Sequence, residues 1–143
     1  MGGLSRLSKA RKLALGAEQP TLDRHAKGDG TIDQPLTDGE VVTIGDAQVR
    51  VFGVPGHTAG SAAYLVDGVL ILGDNGLITA RGAFAAVPED RSDDPALLIR
   101  SVVTLADRLA AEGLAVEWLL PAHSGAVQGR AALDAFAEAN RGR

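Results

Sequence analysis

Val54-Pro55-Gly56-His57-Thr58-Ala59-Gly60-Ser61 decides how this chain is read. Just before it, Gln48 to Val54 alternates, with Val49 and Val51 on one face of a strand and Arg50 and Phe52 on the other. The histidine therefore arrives at a strand end, where a rigid scaffold presents side chains to a cleft. Proline fixes the entry into the loop, and glycine lets backbone or substrate come close. Two later segments share the layout: Ile71-Leu72-Gly73-Asp74-Asn75, and Leu119-Leu120-Pro121-Ala122-His123-Ser124-Gly125. Taken singly, His57 reads as a loop histidine bonded to its own turn, Asp74 as a turn or cap residue, and His123 as ambiguous. Taken together, three ligand-type side chains at three strand ends suggest a metal site. Imidazole and carboxylate are what zinc accepts when thiolate is absent, and they also suit manganese or iron.

Working outward, Leu4 to Leu15 reads as a short helix stopped by Gly16, and the polar stretch from Ala17 to Pro35 as a long loop. Val41 to Ile44 is a short strand with a turn at Gly45-Asp46. Ala62 to Val66 and Val69 to Leu72 flank Asp67-Gly68, a two-residue hairpin signal. A helix is expected from Pro95, capped by Asp93 or Asp94, with Leu98, Val102, Leu105 and Leu109 as its apolar stripe and Gly113 as its end. Val116 to Leu120 reads as a buried strand stopped by Pro121, and Val127 to Ala139 as a terminal helix. This order of elements predicts an α+β fold, one sheet covered by helices on one side.

The 143 residues suit one domain or a piece of a larger one. Aromatics are only 3% of the chain, so the core must be aliphatic. A net charge of -4 argues against nucleic acid or an anionic membrane as partner. The basic run Arg6, Lys9, Arg11 and Lys12 reads as a solvated helix face. Without cysteine, disulfides, thiol catalysis and cysteine zinc sites are excluded. No stretch is long enough to span a bilayer and no signal-peptide pattern is visible, so a cytoplasmic location is the expectation. His25 reads as solvent-exposed. Ser61 and Ser124 have no base of known geometry and receive no catalytic role.

Pro55-Gly56-His57-Thr58 with Gly60-Ser61 resembles the Pro-Gly-His-Thr-x-Gly-Ser motif of the metallo-β-lactamase-fold hydrolases. Leu72-Gly73-Asp74 resembles that family's Gly-Asp motif. Pro121-Ala122-His123-Ser124-Gly125 is similar to its final Pro-Gly-His-Gly segment, with Ala and Ser as departures. Leu36 to Ile44, including Asp38-Gly39-Glu40, resembles the strand lead-in, so the match runs over residues 36–125 of a partial domain filling 1–143. The resemblance implies the C-terminal portion of an αβ/βα sandwich. It implies His57 as ligand of a first metal, Asp74 as the bridging and catalytic carboxylate, and His123 as ligand of a second. Two zinc ions, or iron or manganese, would be the cofactor, and a metal-held hydroxide the nucleophile on an ester, thioester, lactone or similar bond of a small-molecule substrate. Ala17 to Pro35 and Ala80 to Asp93 could line the cleft.

The family's His-x-His-x-Asp-His signature does not occur in this sequence. Met1-Gly2-Gly3-Leu4 matches the residues that commonly follow it, so an in-frame signature upstream of Met1 is expected, and this chain alone is expected to be inactive. The alternatives are an inactive remnant or the protein-binding half of a split protein. Loss of one sheet would bare apolar surface, which favours homo-oligomerisation or a complementing chain.

Overall fold

The computed structural model describes residues 9–25 and 30–142. Its centre is a six-stranded sheet made of β3 (Val41–Ile44), β4 (Ala47–Gly53), β5 (Ala62–Val66), β6 (Val69–Gly73), β9 (Trp118–Pro121) and β10 (Val127–Gln128). The spatial order is β10-β9-β6-β5-β4-β3, antiparallel throughout except for the parallel β6–β9 pair. That parallel pair needs a crossover, and α2 (Pro95–Ala111) supplies it. A β7–β8 ribbon (Leu77–Ile78, Phe84–Ala85) and α3 (Ala131–Asn140) complete this side.

Local chemistry sets these elements. The Asp94 carboxylate accepts the Leu97 N–H at 2.8 Å with Pro95 at the first helical position, so α2 starts where the sequence signalled. It ends at Gly113, where the Gly113 and Leu114 amides close back on Ala110 and Leu109. In the β5–β6 hairpin Asp67 and Gly68 both have positive φ, as the expected turn requires.

The strand alternation separates two apolar layers. Phe52, Leu65, Leu70, Leu72 and Leu119 face the helices and pack with Leu98, Val102, Leu105, Leu109 and Leu133. The opposite face carries Val42, Val51 and Tyr64, covered by β1 (Leu13–Leu15) and β2 (Gln34–Leu36), a parallel pair. The rest of that face is bare: Ile44 is 55% exposed, Trp118 43% and Leu120 40%. Register places Trp118 beside Val69 and Leu120 beside Ile71 on this one surface. Trp118 is the chain's single tryptophan and so reports on it. Its emission is expected to be that of a wetted indole, readily quenched by acrylamide. Blue-shifted, unquenched emission would mean that the face is covered.

Five expectations are corrected. The strand read as buried over Val116 to Leu120 runs Trp118–Pro121, and its Trp118 and Leu120 are exposed. The helix over Leu4 to Leu15 is not found where the chain is described: residues 9–12 form a turn and irregular backbone, and Leu13 to Leu15 is strand. Residues 1–8 lie outside the described part. The reason is tertiary, because Leu15 buries against Leu36, Val42 and Val51 only from an extended chain. The basic run accordingly lies on no helix over residues 9–12, and Lys12 pairs with Asp33 at 2.9 Å. The long loop of 17–35 holds α1 (Gln19–His25) and β2, tied together by Gln19, whose side chain donates to the Gly30 carbonyl and accepts the Ile32 amide. The terminal helix begins at Ala131 rather than Val127, since Val127 and Gln128 pair with β9 as an edge strand.

Asp38 fastens the sheet to α2. It receives both oxygens' bonds from Arg108 at 2.7 and 2.9 Å and the Gly53 amide at 2.9 Å. Partial burial raises its carboxyl pKa, but the Arg108 guanidinium and the Gly53 N–H outweigh this and hold it below the ordinary value. A lowered folded pKa gives stability that is complete above the ordinary carboxylate range and fades as pH falls through the lowered value. Asp38→Asn is expected to cost about 1 kcal/mol at neutral pH, because the pair is half exposed. The gap between the two proteins should close in acid; a gap constant from pH 7 to pH 2 in urea melts contradicts this.

Candidate metal centre

The motif loop leaves β4 and is stitched into a tight knot. Val54 N–H donates to the Ser61 carbonyl at 2.8 Å, Gly56 N–H to the Thr58 carbonyl at 3.0 Å, and Thr58 N–H to the Ser61 hydroxyl at 3.0 Å. From α2's side, Asp93 N–H reaches the His57 carbonyl at 3.1 Å and Asp94 N–H the Gly56 carbonyl at 2.8 Å. Both neighbours of the imidazole along the chain are therefore fixed by main-chain bonds. Ser61 serves this loop, and Ser124 accepts the Ile78 amide at 2.7 Å; both hydroxyls do structural work.

A residue that sequence reading passed over holds the knot from outside. Glu18 Oε2 accepts the Thr58 hydroxyl at 2.7 Å and the Gly60 amide at 3.0 Å. The approach is so close that a Cβ on Gly60 would lie 2.2 Å from the Glu18 nitrogen. Glu18 is a positioning residue for His57, separated from the loop by 40 residues and by no spacing rule. Glu18→Ala leaves the Gly60 amide short of an acceptor and the Thr58 hydroxyl with Ser61 Oγ, 2.8 Å away, as its remaining one. It is expected to cost about 2 kcal/mol and to broaden the His57 ring resonances, which Glu18→Gln should partly restore. Sharp, unshifted His57 signals in the alanine variant would remove this role.

Asp74 follows β6, one residue after Gly73, and its neighbour Asn75 anchors the turn. Asn75 is 1% exposed and donates to the Ala62 and Leu72 carbonyls at 2.9 and 2.7 Å. His123 follows β9, which the Ala122 N–H ties to the Gly73 carbonyl at 2.9 Å. Two strands that are parallel neighbours thus deliver Asp74 and His123 to the same sheet end, and the β4 loop delivers His57.

The three expected residues meet. His57 Nε2 lies 3.8 Å from one Asp74 oxygen and His123 Nε2 2.9 Å from the other, so the carboxylate stands between two imidazoles. His57 Nδ1 and Asp74 Oδ1 are buried without a hydrogen-bond partner, and the 2.9 Å approach of His123 is not aligned as a hydrogen bond. Ligand atoms about 2.0–2.2 Å from a shared zinc at tetrahedral angles stand roughly 3.4 Å apart, and the two separations bracket that value. The donor set fits a metal. Among the described residues no three His, Asp or Glu side chains enclose a common point. His57 is held, whereas the His123 side chain is 80% exposed and free to adjust. His25, the third histidine, is exposed at the end of α1 and does not line the cleft that the other two share.

These side chains line an open cleft of about 120 Å³, together with Leu77, Val87, Pro88 and Arg91. The expected contribution of 80–93 to a cleft is seen in the last three; none of the described residues of 17–35 lines it.

The fold has close counterparts. A metallo-β-lactamase of Pontibacter korlensis superposes with a TM-score of 0.67 at 16% identity, over 96% of this chain and 61% of that one. An archaeal metallo-β-lactamase superfamily protein of Sulfolobus tokodaii gives 0.60 at 19% identity, over 95% of this chain and 60% of that one. This chain has the metallo-β-lactamase fold. The rubredoxin oxygen:oxidoreductase of Desulfovibrio gigas shares it, with a TM-score of 0.69 at 17% identity over 95% of this chain and 40% of that one. In sequence, a curated hydroxyacylglutathione hydrolase of Shewanella sp. is 38% identical over 77 residues, 51% of this chain and 29% of its own length. Another, of Halorhodospira halophila, is 49% identical over 45 residues, 31% of this chain and 18% of its own. The chain thus spans less than a third of the curated relatives it matches. No family model matches it. Among the described residues no helix is long and apolar enough to cross a membrane.

Proposed function

We propose that this metallo-β-lactamase-fold chain forms part of a metal-dependent hydrolase, with a thioester as the favoured substrate bond. The observation that carries the reading is the Asp74 carboxylate held between His57 and His123 at the end of three strands. The sequence likeness to hydroxyacylglutathione hydrolases supports the thioester. His57 and one Asp74 oxygen would hold a first metal, and His123 and the other oxygen a second, with zinc as the ion the donor set suits. Further ligands would come from outside these 143 residues. Zinc so held supplies activation of water near neutral pH and polarisation of the scissile carbonyl. The protein's own contribution is orientation. The Glu18–Thr58–Gly60 network fixes the loop bearing His57, Asn75 fixes the Asp74 turn, and Leu77, Val87 and Pro88 give the cleft an apolar wall.

The test is hydrolysis of a hydroxyacylglutathione thioester by the protein isolated from its native source, before and after exhaustive chelation. Turnover lost on chelation and restored by zinc is the expected result. Turnover indifferent to chelation contradicts the proposal, and restoration only with an aryl ester or a lactone moves the substrate class.

A further inference from the structure

The cleft holds one charged group that metal binding does not use. Arg91 ends the short turn Glu89–Arg91, closed by its own amide on the Pro88 carbonyl at 3.0 Å. Two residues on, the main chain is bonded to the main chain of His57 and then of Gly56. The backbone that carries Arg91 is thus fastened to the backbone that carries a candidate ligand.

Acids crowd Arg91 in sequence: Glu89, Asp90, Asp93 and Asp94 all lie within three residues. Even so, among the described residues no ion pair or hydrogen bond engages its guanidinium. Elsewhere Arg50, Arg108, Arg130 and Arg141 each hold a carboxylate at 2.8 Å or closer. Instead, Arg91 joins Leu77, Val87 and Pro88 in lining the cleft. Arg91 is exposed at the mouth of this open cleft, and its guanidinium offers a planar fork of donors matched to a carboxylate's two oxygens. At about 120 Å³ the cleft is small beside the roughly 300–1,000 Å³ of sites that enclose a whole drug-sized ligand.

We propose that Arg91 is the specificity-determining residue of this cleft. It receives a carboxylate carried by the substrate, so the substrate class is an ester or thioester with a short apolar stretch ending in a carboxylate. The words ester and thioester rest on the hydrolase reading above; the carboxylate rests on Arg91 alone. The apolar stretch lies along Leu77, Val87 and Pro88, which gain from its burial.

The experiment is a titration of the metal-free chain followed by ¹H–¹⁵N NMR, with hexanoate, hexanamide and inorganic phosphate as probes. Hexanoate should move the amides of Leu77, Val87 and Arg91 saturably, and hexanamide should bind about tenfold more weakly. Arg91→Gln should erase that preference. Because the Arg91 side chain bonds to nothing described, the variant should keep its amide dispersion, which the same spectra display. Equal binding of hexanoate and hexanamide, a preference that survives Arg91→Gln, or shifts confined to surfaces outside the cleft would each overturn the proposal. Phosphate as effective as hexanoate would do so too, by showing a general anion seat. The chelation assay of the native-source protein separates the two readings: turnover indifferent to chelation with an intact hexanoate preference defeats the hydrolase reading alone, and zinc-dependent turnover with no hexanoate preference defeats the Arg91 assignment alone.

Discussion

Gly56→Ala is expected to destabilise the chain by about 4 kcal/mol or more, a loss large enough to leave a marginal domain mostly unfolded. Two independent costs combine at this position. The backbone has φ of +135°, where a side chain is strained by about 1–3 kcal/mol. A Cβ there would also stand 2.3 Å from the Leu98 nitrogen and 2.4 Å from its Cα. Those are main-chain atoms in the first turn of α2, so no rotamer change relieves the overlap. Moving the helix would break the Asp94 amide bond to the Gly56 carbonyl and disturb the cap that starts α2. Gly113→Ala is the matched control. It too has positive φ, but open space surrounds it, and about 1 kcal/mol is expected. Urea midpoints of the two variants decide the matter; a Gly56→Ala loss no greater than that of Gly113→Ala would mean that the loop does not lie against α2 as described.

Asp74→Asn should do the opposite, sparing stability while removing metal. Asp74 Oδ1 is buried without a hydrogen-bond partner, and the carboxylate's near neighbours are the two imidazoles, of which that of His123 is 80% exposed. The side chain is 40% exposed, so an isosteric amide should leave the melting temperature about level. Zinc affinity should fall by at least ~100-fold, since even outer-shell partners of a ligand are worth about 10–100-fold. Calorimetric zinc titration and thermal melts on the same samples measure both. An Asp74→Asn protein that melts lower and binds zinc as well as the parent would make Asp74 a structural residue.

The two expectations show which parts of the molecule could be read from its residues. Signals of short range were legible. Asp67-Gly68 specified its hairpin, Asp94-Pro95 and Gly113 bounded α2, and the alternation of Gln48 to Val54 assigned Val51 and Phe52 to opposite layers, as the structure has them. The three strand-end residues were legible for the same reason, because each sits in a local pattern of glycine and proline after an apolar run. What stayed hidden depends on contacts between distant residues. Leu13 to Leu15 reads as helix until Leu36 and Val51 are placed beside it. Glu18 and Gln19 look like ordinary loop polars; they are clamps, one on the motif loop and one on β2's approach. Val127 and Gln128 continue a helical pattern, but β9 offers them a free edge. Arg91 is marked by its lack of a partner among the described residues, a feature that exists only in three dimensions.

The central claim is that Asp74 gathers His57 and His123 around metal. It is tested most directly by titrating the chain with zinc and following the ring nitrogens of its three histidines by long-range ¹H–¹⁵N NMR. Saturable movement of the His57 and His123 resonances, with those of exposed His25 unchanged, is the expected result. Movement of His25 alone, or equal and unsaturable movement of all three, contradicts the claim.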